Sequence, residues 1–257
     1  MNIQELRSDL QQLGLNDNLN LAVLLYLADL MRKTKYKISI LITGPAGAGK
    51  SFLVKAVTDL IPAEDMLVIS KMTPAALVRC QDLSGKVVYR YESSEGEQFA
   101  QYMRELISEG EVIYPTANAE YRLKGPTTFI ETTTNPNVVG IENKSRYFVV
   151  GINTSAEARQ NILEIQKDLR TVRGFHANAV IADIQRKHKE FQKSLDQSIE
   201  VVISFAKEIT FRSYSQHGSR ILDRVLNVVS AVAFLQQGER PVTETEGHRY
   251  IEATEDD

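Results

Sequence analysis

The feature that most constrains this chain is the stretch Ile38 to Phe52, ISILITGPAGAGKSF. An apolar, β-branched run from Ile38 to Thr43 leads into Gly44-Pro45-Ala46-Gly47-Ala48-Gly49-Lys50-Ser51, and a helix-compatible segment from Phe52 to Leu60 follows. This is the pattern G-x-x-x-x-G-K-[ST] in a strand, loop and helix context. Glycines at 44, 47 and 49 let backbone N–H groups approach phosphate oxygens with no Cβ in the way. Lys50 adds a charge that reaches β- and γ-phosphates, and the Ser51 hydroxyl suits the shell of a Mg²⁺ ion. The helix after the loop turns its positive end toward the same anion. Residues 44–52 therefore read as a nucleotide cradle.

Composition narrows the remaining choices. A chain of 257 residues with 43% hydrophobic content can hold one large domain, or a core with a smaller lid. One cysteine, Cys80, and four scattered histidines leave no disulfide framework and no cluster of zinc spacing. The metal expected is thus the Mg²⁺ that accompanies a nucleotide. The apolar run Leu19 to Leu30 contains Asn20, Tyr26 and Asp29, and is too short and polar to span a bilayer. A cytoplasmic protein with no membrane contact is expected. The net charge of −3 argues against a surface coated in cations, so any DNA contact must come from a local patch.

Periodicity divides the chain near residue 154. Residues 1–14 and 18–34 read as helices, the second with Asp17 or Asn18 as N-cap. Strands are expected at Met66 to Ser70, Lys86 to Tyr91, Thr127 to Thr134 and Arg146 to Ile152. Helices are expected at Thr73 to Cys80 and at Gly96 to Glu109, the latter with Phe99, Met103 and Leu106 on one side. Residues 111–124 read as a hairpin around a Pro-Thr-Ala-Asn turn. This alternation indicates a largely parallel, helix-covered sheet. Past Ser155, a helix N-cap, helical spacing runs to about Phe191 with Gly174 as a weak interruption, and residues 197–209 and 219–236 also read as helices. The expectation is an α/β core over 1–154 and an all-helical segment over 155–257. The acidic tail from Thr243 ends without a recognisable stop, as in a piece of a longer protein.

Hydrolysis of a bound triphosphate also needs a carboxylate to orient water and positive groups for the γ-phosphoryl, at the carboxyl ends of neighbouring strands. Glu92 ends the strand Val87 to Tyr91 and stands where such a base belongs; the alternative is a solvated strand-end glutamate. Asn135 ends the next strand, where its amide can meet the γ-phosphate or the water, or simply form a turn with Pro136. Arg146, at the amino end of its strand, can serve a neighbouring subunit's nucleotide or be an ordinary surface arginine. Arg220 opens an apolar helix and can reach back over the nucleotide, with Arg224 as its rival.

These features resemble the AAA+ superfamily of ATPases over nearly the whole chain. More narrowly, the Glu-Gly-Glu-Val-Ile-Tyr hairpin and the Ser-Arg-Tyr element resemble minichromosome-maintenance-like helicases of phages and mobile elements. The run Asp223 to Arg240 is similar to the lid of ATPase modules fused to phage-type primases. The resemblance implies a P-loop three-layer αβα core with a helical lid, ATP and Mg²⁺ as ligands, Asn135 as a sensor-1 type residue, Arg146 as an arginine finger and Arg220 as a sensor-2 type residue. It further implies a ring, usually of six subunits, with DNA in its pore. One departure is Tyr91, where the superfamily usually carries an acid directly before the glutamate; Mg²⁺ then rests on Ser51, phosphates and water, with Glu92 or Glu95 assisting.

In such a ring the 111–124 hairpin would offer Arg122, Lys124, Tyr114 and Tyr121 to nucleic acid. The alternative is that alternate hairpin residues pack on the sheet. The leading expectation is a DNA-translocating ATPase motor in phage or mobile-element replication. Tyr91 motivates the alternative of a nucleotide-switched binding module with little catalysis, and a protein remodeller or loader is a further one.

Overall fold

The structure is a computed structural model; it describes all residues except 71, 93–96, 116–118, 126, 139, 141–143 and 213–216. The Thr116–Asn118 portion of the expected turn, Glu95 and Gly96 lie outside the described residues, as does the side chain of Phe99.

Five strands form one parallel sheet: β1 (Ile40–Thr43), β2 (Met66–Ile69), β3 (Val87–Arg90), β6 (Thr128–Thr133) and β7 (Phe148–Gly151), in the order β2-β3-β6-β1-β7. The three central strands are apolar or Thr-rich and almost wholly buried, whereas the edges β2 and β7 are partly exposed. Burying a threonine strand requires partners for its hydroxyls. They are found: Thr128 donates to Ala28 O at 3.2 Å and Thr127 to Lys86 O.

Alternation along the strands feeds two apolar cores. Ile40 and Ile42 face α1 (Ile3–Gln12), α2 (Leu19–Leu30) and α3 (Lys50–Thr58), while Leu41 faces α4 (Pro74–Val78) and α5 (Glu97–Ser108). The hairpin β4 (Glu111–Pro115) and β5 (Glu120–Lys124) lies on the second face, its Val112 and Leu123 paired in register and fully buried.

Beyond residue 154 the structure departs from expectation in two ways. The long helix is two: α6 (Ala156–Asp168) and α7 (Val172–Ser194). Thr171 caps the second through Gly174 N–H at 3.1 Å, and a Cβ at Gly174 would stand 2.2 Å from Asp168 O, so the tight turn needs glycine there. The segment is also not all-helical. Residues 197–209 contain β8 (Glu200–Val202), which pairs in parallel with β10 (His248–Glu252), itself antiparallel to β9 (Thr243–Thr245). Burial of Val201 and Ile251, at 5% and 0% exposure, outweighs the helical spacing. The remaining helix, α8 (Gly218–Leu235), packs on α2, and its Ala231 and Phe234 belong to the same core as β1.

No helix among the described residues is long and apolar enough to cross a membrane.

Candidate phosphate-binding site

The loop after β1 is shaped by its glycines. Gly47 and Gly49 take φ of 76° and 85°, and a Cβ on Gly44 would come within 2.5 Å of Ile152 Cγ2. Lys50 is buried at the start of α3, where Nζ donates to Gly44 O at 2.6 Å and Pro45 O at 2.9 Å. Of its three N–H donors, one remains for an anion. The first amides of α3 have no partner within the helix and point to the same side.

These groups border a cavity of about 430 Å³ lined by residues 46–52, Glu92, Thr134, the α6 side chains Ile162, Ile165 and Gln166, and Leu169 just past the end of α6. The roof is seated by polar bonds at its base. Asn161 Nδ2 donates to both Asp17 oxygens at 3.0 and 3.2 Å, and Asn153 N–H to Asn18 Oδ1 at 2.9 Å. Asp17 and Asn18 thus hold the roof, and neither side chain caps α2. Sequence periodicity marks α6 as amphipathic but carries no sign of what it covers.

At the carboxyl ends of the strands, Glu92 has φ 55°, an unfavourable conformation for a residue with a Cβ. Its Oε1 accepts from Thr134 N at 3.2 Å and Thr134 Oγ1 at 2.5 Å, and its N–H donates to Thr132 Oγ1 at 3.3 Å. Because β6 lies between β1 and β3, Thr134 stands between the loop and the carboxylate. Asn135, one residue on, does not line the cavity; its Oδ1 accepts Asn137 N–H at 3.0 Å and closes the turn at Pro136. The residue missed by sequence reading is Thr134, whose only signal is its place at the strand end. Tyr91 is 39% exposed with its ring 5.6 Å from that of Tyr89.

Arg146 and Arg220 lie elsewhere, at the amino ends of β1 and β7. There Lys35, Lys37, Arg146, Arg220 and Arg224 face Glu109 and Asp223 around a hollow of about 550 Å³. Arg220 donates to Ser145 Oγ at 2.6 Å and Arg146 to Ser108 Oγ at 2.7 Å. Arg224 donates to Tyr147 O and lies 5.2 Å over the Phe148 ring; burial pushes its pKa down. Burial, with the Arg32 charge, pushes Lys37 down to about 8. The sequence reading has Arg220 reaching back over its own chain's nucleotide. The structure sets it at the opposite pole of the sheet, because α8 begins beside the start of β7 rather than beside the phosphate loop.

On the hairpin, Tyr114 and Tyr121 turn toward the second core, Tyr114 edge-on to Tyr102 at 6.0 Å. Arg122 is paired with Glu120 at 2.8 Å and Glu111 at 3.5 Å, and Lys124 is exposed beside them. Two carboxylates therefore offset the arginine.

Among the described residues no three His, Cys, Asp or Glu side chains gather as a metal cluster. A comparison with protein-family models finds no match for this chain, and a comparison with curated proteins finds none either. Fold and site together define an α/β protein with a five-stranded parallel sheet, one of whose inner strands, β1, runs into a phosphate-loop-like turn.

Proposed function

We propose that this chain is an ATP hydrolase of the AAA+ type, working as a DNA-translocating motor in phage or mobile-element replication. The observation that carries the reading is the convergence of residues 46–52, Glu92 and Thr134 on one roofed cavity. The strand order supports it, since the inserted β6 brings a hydroxyl beside the carboxylate at the edge of the loop.

In this reading the amides of residues 46–51 and the third Lys50 N–H hold the β- and γ-phosphates. The loop fits Mg²⁺ through one side-chain oxygen, Ser51 Oγ, which borders the cavity; when bound, the ion offsets charge on the phosphoryl oxygens. Glu92 accepts a proton from the attacking water, and Thr134 fixes the carboxylate for that task. Arg146 completes the site of a neighbouring copy, and Arg220, at the same pole, joins it there rather than serving its own chain. DNA as partner rests on the family resemblance and the exposed hairpin.

The test is ATP turnover with and without single-stranded DNA. DNA-stimulated turnover that is lost in Lys50→Ala and Arg146→Ala is the expected result; equal basal turnover in wild type and both variants would end the motor reading. The second reading, a nucleotide-switched binding module, is favoured by Tyr91 and by the tie of Glu92 to Thr134. Tight ATP binding with turnover near zero selects it, whereas turnover on the order of 1 per second rejects it.

A further inference from the structure

The hollow at the amino ends of β1 and β7 gathers cations from separate stretches of the chain. Lys35 and Lys37 lead into β1, Arg146 leads into β7, and Arg220 and Arg224 stand one turn apart near the start of α8, on the same face of that helix. Lys35 is paired with Glu200 at 2.6 Å. Lys37, Arg220 and Arg224 are held differently. Among the described residues Lys37 Nζ donates to Arg32 O, Arg220 to Ser145 Oγ at 2.6 Å, and Arg224 to Arg220 O at 3.1 Å and to Tyr147 O, all of them uncharged oxygens. Glu109 and Asp223 also line the hollow, both exposed, and neither forms an ion pair with any of the three. Gathering like charges without a counter-ion is costly. The cost shows at the half-buried Lys37 and Arg224, where burial and a neighbouring guanidinium lower the pKa. Each of the three cations keeps N–H groups beyond those already spent, and the hollow of about 550 Å³ has the size of a small-ligand site.

We propose that this hollow is a second anion site, which takes an oligophosphate chain, inorganic or the tail of a nucleotide, on Lys37, Arg220 and Arg224 of a single copy of the protein. Three cations call for about three negative charges in a small volume, which an oligophosphate carries and a single carboxylate does not. A DNA strand, by contrast, spreads its charges along an extended backbone. The site goes beyond the ATPase reading, and nothing in it depends on the glycine-rich loop. It shares Arg220 with the proposed contact to a neighbour's nucleotide, so the two ligands compete for that side chain.

The experiment is calorimetric titration of the full chain with sodium tripolyphosphate in EDTA. Lys50→Ala, which disables the glycine-rich loop, should still bind tripolyphosphate. Adding Lys37→Gln or Arg224→Gln to it should weaken that binding by about tenfold or more. Binding abolished by Lys50→Ala alone, or unmoved by both added changes, overturns the proposal. The loop reading fails separately: if wild type and Lys50→Ala bind alike and the added changes remove the binding, the hollow stands and the loop does not. ATP titrated into Lys50→Ala separates the two sources, since affinity at least equal to that of tripolyphosphate supports a nucleotide tail and markedly weaker affinity supports the inorganic chain. Oligothymidylate that displaces tripolyphosphate at a lower phosphate concentration assigns the hollow to nucleic acid and overturns the oligophosphate reading. Where a variant does not fold, the wild type answers. Tripolyphosphate should shield Lys37 from acetic anhydride, read by peptide mass spectrometry, and equal labelling with and without it overturns the site.

Discussion

Arg90 and Glu131 are in-register neighbours on β3 and β6, and form an ion pair at 2.9 Å with side chains 8% and 3% exposed. Tyr147 donates to the same carboxylate at 3.2 Å. Removing one partner of such a pair strands the other charge, so Arg90→Met should cost about 3–5 kcal/mol in urea unfolding. Replacing both residues with methionine should recover much of that loss. Asp29 is a different case. It is fully buried, neither carboxylate oxygen has a partner among the described residues, and burial pushes its pKa from 3.8 up to about 8 against the pull of Arg32. Between those values the unfolded chain has released its proton and the folded chain has kept it, so stability falls as pH rises through that window. The slope reaches at most about 1.4 kcal/mol per pH unit. Urea unfolding at pH 5 and pH 8 should show a smaller drop for Asp29→Asn than for wild type. His188 works in the opposite direction. Burial lowers its pKa below the ordinary 6.5, between Tyr26 at 2.8 Å and Asp9 at 3.0 Å, so its contribution is lost as pH falls below about 6.5.

Among the elements, the turn between α6 and α7 is the sensitive joint, since α6 forms the roof of the cavity. Gly174→Ala places a Cβ 2.2 Å from Asp168 O and 2.7 Å from Leu169 Cα. It should destabilise the fold by about 1–3 kcal/mol and weaken nucleotide binding, read by thermal melting and titration. Gly238→Ala, with nothing within 4 Å, should change neither. This joint also shows where sequence reading stops. The central strands were legible to within a residue or two because their β-branched runs are local signals, and the glycine-rich turn after β1 was legible because its spacing is a local signal as well. Gly174 was legible only as a weak interruption of one long helix; the Thr171 cap and the close approach of Asp168 O emerge from the fold. So does the pairing of Tyr250 with Glu200 across about fifty residues, which no local window can register. The turn at Glu246-Gly247, with φ of 53° and 81°, joins β9 to β10 inside what read as an acidic tail, without the Asn-Gly or Asp-Gly pair that marks such turns in a sequence. Thr134 and the roof over the loop likewise follow from strand order and helix packing rather than from any motif.

At the scale of the molecule, the glycine-rich loop after β1 lies at the carboxyl ends of the strands and the arginine cluster at their amino ends. If the proposed completion by a neighbour holds, Lys50→Ala and Arg146→Ala proteins should each be inactive alone. Mixed in equal amounts they should regain about one quarter of wild-type turnover, because one arrangement in four joins an intact loop to an intact arginine. A mixture as inactive as its components would remove Arg146 from the site. The same two-ended layout restricts the symmetry of any such assembly. A twofold axis would set loop against loop and arginine against arginine, so the productive contact is heterologous. Each added copy then leaves one unmatched end, and the turn per step decides between a closed cycle and an open helical filament.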